Sequence, residues 1–345
     1  MRYGEDRRVG KIIDCHAHMA VPTQLPAYKA GLLSHRGAHG RGKVGATDDD
    51  IHAAFDRVEM APEGHLACLD KAGVDMQVLS PRPYQLMHSE KPAKLVYWYV
   101  EEVNDLIARE CALYPDRFVP MAGLPQTAGD PIENALPELE RCVKEMGFRG
   151  CLVNPDPYEN SGRKAPPMGD RYWYPLYEKL CELDVVGHIH SASSRNPERE
   201  PYSLHFINEE TTAVYGLVKS TVLDDFPDLK ILVSHGGGAI PYQMGRFDSS
   251  SVRRPPRFAD RMRRLYYDTV LYSREAIELL IKVVGPEHCL FGAEMPGVGS
   301  AINPDTGDTF DTIIPHIRAC DFISEKEKDA ILGGTAMKLF RIDAD

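Results

Sequence analysis

The chain has 345 residues, 43% of them hydrophobic, and a formal net charge of −11. That length fits one α/β barrel or two smaller domains. The acidic balance, with no Lys/Arg-rich stretch interleaved with aromatics, argues against a nucleic-acid partner. No apolar stretch nears the roughly 20 residues needed to span a bilayer. No secretory h-region follows the first residues, and eight scattered cysteines lack any Cys-x-x-Cys pair, so the pattern predicts a reduced, cytoplasmic protein with no membrane partner.

Taken in chain order, short β-type runs alternate with helical patterns. The first run, Lys11–Cys15, leads into Asp14-Cys15-His16-Ala17-His18. Alternate side chains of an extended strand share one face, so His16 and His18 can present both imidazoles to one metal ion. The interval 19–64 follows, with the Gly/His/Arg-rich Ser34–Gly45 and the acidic Asp48-Asp49-Asp50, read as a helix cap. The second run, Asp75–Ser80, is followed by Arg82, a candidate for bidentate grip on a carboxylate. A helix pattern over Ala93–Tyr114, a third run at Phe118–Leu124 and a helix pattern over Pro131–Met146 lead to the fourth run, Gly150–Asn154. A Pro/Gly-rich loop occupies 155–173, and a helix is predicted over Tyr174–Leu183.

The fifth run, Val185–His190, carries His188 and His190 on one face, so spacing leaves either as a ligand. After a helix over Glu209–Asp225, the sixth run, Lys230–Ser234, opens into His235-Gly236-Gly237-Gly238. Three glycines let a backbone turn sharply and approach a ligand, and His235 there suits a general acid/base or a fourth metal ligand. Arg246 is a second anion candidate, although it and Arg82 are equally readable as surface residues. Asp268, in the seventh run Leu265–Thr269, would orient a ring N–H or cap a helix. A helix over Arg274–Val284 precedes the eighth run, Cys289–Gly292, and then Ala293-Glu294. The last helix pattern covers Glu325–Phe340.

Eight β-type runs separated by helices predict a parallel sheet closed into a (β/α)8 barrel, one domain over 1–345 with insertion loops at about 19–64 and 155–173. In such a barrel the strand ends converge on one rim. His16, His18, a fifth-strand histidine and Glu294 would then supply nitrogen and oxygen ligands for one divalent ion, with a position left open for water.

These residues resemble the amidohydrolase superfamily. The features are Asp-x-His-x-His, the fifth-strand His, the sixth-strand His-Gly-Gly-Gly and the eighth-strand acid. His-Gly-Gly-Gly-x-x-Pro-Tyr and the Pro-Asp-Arg-Phe near residue 115 are similar to its branch of aromatic-acid decarboxylases and related enzymes. Within that branch the chain resembles the 4-oxalomesaconate hydratases. The segments that carry this include Asn154-Pro155-Asp156-Pro157, Arg171–Lys179, Phe291-Gly292-Ala293-Glu294-Met295 and Asn303–Gly307. Most of the branch has aspartate at the eighth strand, and these hydratases share Glu-Met with this chain. Pro296 is a departure toward the decarboxylase pattern, and Ser34–Gly45 does not align.

The resemblance implies zinc, with manganese as the alternative, held by His16, His18 and His190 with Glu294 near or on the metal. It implies Glu294 as the base for water, His235 as partner acid/base, and anion contacts from Arg82, Asn154, Ser191 and Ser194. The implied reaction adds water to the double bond of a small unsaturated oxo-polycarboxylic acid, with aromatic-acid decarboxylation or metal-dependent hydrolysis as alternatives. A homo-oligomer and a small anionic polycarboxylate substrate are expected on the same ground.

Overall fold

A computed structural model of the chain describes residues 10–196, 202–253 and 255–343. Its eight short strands are β1 (Ile13–His18), β2 (Met76–Ser80), β3 (Phe118–Pro120), β4 (Gly150–Val153), β5 (Val186–Ile189), β6 (Ile231–Val233), β7 (Tyr266–Asp268) and β8 (Cys289–Leu290). All pairings are parallel, in two arcs, β1-β2-β3 and β4 through β8. Backbone hydrogen bonds join the arcs at both seams. Ala122 donates to Gly150 O and accepts from Leu152, while Cys15 donates to Phe291 O at 2.9 Å. The ring closes, and the fold is the predicted (β/α)8 barrel.

Two apolar layers follow from strand alternation. Inside the ring, Ile13, Cys15, Met76, Val78, Val119, Leu152, Val186, Leu232 and Leu290 pack together. The last helix, Thr335–Phe340, closes this interior with Ala336, Leu339 and Phe340. Outside, the opposite parity of each strand, such as Leu79, Ile189 and Val233, packs against the helices. In β1 the register shifts between Asp14 and Ala17. Such a slip inverts side-chain parity. It places Ile13 and Cys15 in the interior cluster and Ala17 in the outer one, so that His16 and His18 join the ring interior above the apolar plug.

Most helices stand where the pattern placed them, with Tyr174–Leu183 and Arg274–Val284 identical to expectation. The predicted helix over Glu209–Asp225 is corrected to Ser203–Lys219 followed by a short Val222–Asp225 turn. Ser220 is the break: its Oγ donates to Leu217 O and accepts from Val222 N, replacing ladder bonds with side-chain bonds. The interval 19–64 contains the helices Gln24–His35 and Asp48–Asp56. There Thr47, not the aspartates, is the cap, in a reciprocal bond with Asp50. Among the described residues no helix is long and apolar enough to cross a membrane.

Candidate metal centre and active site

At the C-terminal ends of the strands the interior turns from apolar to polar. His16 and His18 from β1, His190 just past β5 and Glu294 past β8 bring one ligand atom each to within 4.8 Å of the others. The opposite ring nitrogen of each histidine is spoken for. His16 Nδ1 lies 2.7 Å from Asp268 Oδ2, and Asp268 Oδ1 accepts from Gly236 N and Val270 N. His18 Nδ1 lies 3.0 Å from Ser80 Oγ, which itself donates to Ala17 O. His190 Nδ1 donates to Ser191 O at 2.7 Å. With Nδ1 carrying the proton in all three rings, Nε2 is left with its lone pair.

Those lone pairs are the test of whether a cation fits. His16 Nε2 and His190 Nε2 are buried and have no hydrogen-bond partner among the described residues, and His18 Nε2 faces Glu294 Oε1 at 3.4 Å. A buried polar atom without a partner costs roughly 1–3 kcal/mol. Three nitrogens and a carboxylate around one point suit a divalent ion of borderline hardness. Two of the three rings are held neutral. Burial and the neighbouring rings hold His190 well below the ordinary imidazole value, and burial takes His18 down to about 4. Burial also depresses His16, but the Asp268 carboxylate more than offsets it. Burial would raise Glu294, yet the adjoining imidazoles of His18, His235 and His16 keep it well below the usual carboxylate range.

His188, left open by spacing, lies one layer deeper. Its Nε2 meets Ser234 Oγ at 2.9 Å and its ring stands 5.2 Å from that of His16. It forms a second group with His16 and Asp268, but those two bond each other, and its own Nδ1 is buried without a partner among the described residues.

His235 follows β6 in a left-handed conformation, φ 50°. Its Nδ1 lies 2.8 Å from Glu210 Oε2, and its Nε2 points to Glu294 Oε2 at 3.7 Å. Burial opposes a charge on His235, but the Glu210 carboxylate lifts its pKa well above the usual value. Glu210 is fully buried on the helix Ser203–Lys219 and also accepts from Ser191 N. Phe206, one turn earlier, stacks on the His235 ring, and Tyr202 and Tyr84 continue this aromatic wall outward.

The anion candidates divide. Arg82 is half-buried where the chain leaves β2. Its charge is felt at His18 and Tyr202, and it forms no ion pair among the described residues. Ser191 is buried beside His190, its Oγ directed to Ala192 O. Asn154 is engaged within the protein, its amide hydrogens going to His88 Nδ1 at 2.7 Å and Asp156 O at 3.0 Å. Ser194 is likewise engaged, accepting from Asn160 Nδ2 and Asn196 N. Arg246 is solvent-exposed on the helix Met244–Ser251, and among the described residues it bonds to nothing in the cluster.

Two participants escaped the sequence reading. Glu210 had a signal, an acid at a core position between Phe206 and Val214 on an apolar helix face. Tyr272, whose hydroxyl donates to Glu294 Oε2 at 3.2 Å, sits in a loop without any pattern.

Comparison with known proteins gives the chain its relatives. An amidohydrolase family profile matches residues 13–342. The 2-keto-4-carboxy-3-hexenedioate hydratase of Sphingobium sp. (strain NBRC 103272 / SYK-6) is 35% identical, covering 96% of this chain and 97% of that protein. The crystal structure of 4-oxalomesaconate hydratase from Rhodopseudomonas palustris superposes with a TM-score of 0.84 at 31% identity, over 96% of this chain and 95% of its own. A dihydroxybenzoic acid decarboxylase from Polaromonas sp. JS666, solved with bound manganese and the inhibitor 2-nitroresorcinol, shares the fold. Its TM-score is 0.70 at 23% identity, over 97% of this chain and 98% of its own.

Proposed function

The chain belongs to the amidohydrolase family, and from that premise we propose that it is a metal-dependent hydro-lyase. Its reaction is addition of water across the double bond of a small unsaturated oxo-polycarboxylic acid of the 4-oxalomesaconate type. The observation that carries this reading is the divided environment of Glu294: Oε1 beside His18, Oε2 toward His235. The names of the two hydratases support it, as does their similarity along nearly the whole chain.

His16, His18, His190 and Glu294 would hold the ion, zinc in our reading, with manganese as in the Polaromonas relative as the alternative. When bound, a divalent ion stabilises the negative charge that develops beside it on an enolate-like transition state. Glu294, ionised by its imidazole neighbours, accepts a proton from the water whose oxygen adds to one alkene carbon. His235, charged through Glu210, delivers a proton from Nε2 to the adjacent carbon. Proton transfer from Glu294 back to His235, across a 3.7 Å gap, restores both groups. Arg82, in no ion pair among the described residues, meets a carboxylate of the substrate. We place the protein in the cytoplasm as a homo-oligomer of one-domain chains, and the unpaired state of all eight cysteines fits a reducing compartment.

Glu294→Gln is the direct test. It keeps the shape of the side chain and removes the base, so turnover of 4-oxalomesaconate, followed by loss of its conjugated absorbance, should fall by roughly 10²–10⁴. Metal content should stay largely intact. Near-wild-type turnover would rule out Glu294 as the base.

A further inference from the structure

Three consecutive strands leave the barrel through a non-glycine residue in the left-handed region. These are His235 after β6, φ 50°, Tyr272 after β7, φ 56°, and Glu294 after β8, φ 56°. Each such conformation costs of order 1–3 kcal/mol and persists where surrounding structure enforces it. Here the three side chains meet at one carboxylate. Glu294 Oε1 faces His18 Nε2 at 3.4 Å. Oε2 instead receives the Tyr272 hydroxyl at 3.2 Å and lies 3.7 Å from His235 Nε2. One oxygen keeps company with the ligand imidazoles, the other with groups suited to handling a proton.

The Tyr272 ring is held in place by close backbone approach. Gly299, in the loop after β8, has no side chain, and a Cβ built there would fall 2.5 Å from the ring. Gly299 is in turn anchored through its carbonyl to Asp311 N at 2.9 Å, and the Asp311 carboxylate takes Ser300 Oγ at 2.6 Å. The phenol O–H is the donor to the Glu294 carboxylate.

We infer that Tyr272 is a positioning residue whose O–H holds Glu294 Oε2 toward His235, so that the carboxylate does not offer both oxygens to the cation. This deepens the assignment of Glu294 as base and rests on it. A freed carboxylate would rotate into the cluster, gaining a ligand atom for the metal and losing its alignment for the proton.

The experiment is Tyr272→Phe, with metal affinity measured by chelator competition in the absence of substrate and kinetics measured on metal-loaded protein. The inference expects kcat to fall roughly 10- to 100-fold, the usual effect of losing such a supporting bond, with KM changed by less than about twofold. It expects metal affinity to rise by about threefold or more, because a further carboxylate oxygen can join the ion. Gly299→Ala, which retains the hydroxyl but displaces the ring, should reproduce both changes. Unchanged kcat and affinity in Tyr272→Phe would overturn the inference. So would a fall in kcat accompanied by weaker metal binding and a lowered Tm in both variants, the signature of a structural role. Absence of hydratase activity in the wild type would count against the proposed reaction, while the substrate-free affinity arm would still read the position of Glu294.

Discussion

At the scale of single residues, the site consists of imidazoles whose far nitrogen has been assigned a partner. Asp268, Ser80 and the Ser191 carbonyl each fix one ring, and Glu210 fixes His235. Glu210→Gln should therefore keep the metal cluster and lower kcat roughly 10- to 100-fold, since an uncharged partner no longer holds His235 protonated. Metal analysis together with steady-state kinetics checks this, and an unaltered kcat would detach Glu210 from the reaction. The clustered histidines and Glu294 were legible because a strand end encodes direction: each closed an apolar run, and a barrel gathers such ends. Glu210 and Tyr272 were not, because they come from a helix and a loop that reach the same point only through tertiary packing.

At the scale of elements, the least legible feature is the slip in β1. Nothing in Asp14-Cys15-His16-Ala17 distinguishes a regular strand from a bulged one, yet the slip decides which side chains enter the barrel. Asp14 shows the consequence, turning to accept from His16 N, Ala293 N and Gln77 Nε2. Gln77 also donates to Met295 O and accepts from His65 Nε2, so one buried chain of polar groups ties β1, β2, the residue after Glu294 and the helix His65–Ala72. Burial lowers the pKa of His65 to about 4 from an ordinary value of 6.5. Between those values the unfolded chain binds the additional proton. The stability contributed by neutral His65 is thus fully present above pH 6.5 and lost as pH falls toward 4. His65→Gln, which can still donate to Gln77, removes this titration. Its stability deficit relative to wild type should narrow on acidification through that window, by at most about 1.4 kcal/mol per pH unit. Denaturant titrations of both proteins at several pH values test this, and a pH-independent difference would contradict it.

At the scale of the whole molecule, the barrel interior is divided. Apolar side chains and the helix Thr335–Phe340 fill its lower part, and a layer of buried histidines and carboxylates occupies the upper rim. The alternation of eight β-type runs made this architecture readable, because each run had to bury both faces. In that upper layer His16 Nε2 and His190 Nε2 have no partner among the described residues. Removing the metal with a chelator should therefore lower Tm and abolish turnover, and zinc or manganese should restore both, since a ligand that binds only the folded state adds to its stability. A Tm indifferent to chelation would speak against a metal held by this cluster.

The reaction itself is tested most directly by mass spectrometry of the product formed from 4-oxalomesaconate by the metal-loaded protein in ¹⁸O-labelled water. The expected product is heavier than the substrate by one water, with the labelled oxygen bound to carbon. Substrate recovered unchanged, or a product that has lost carbon dioxide, would contradict it.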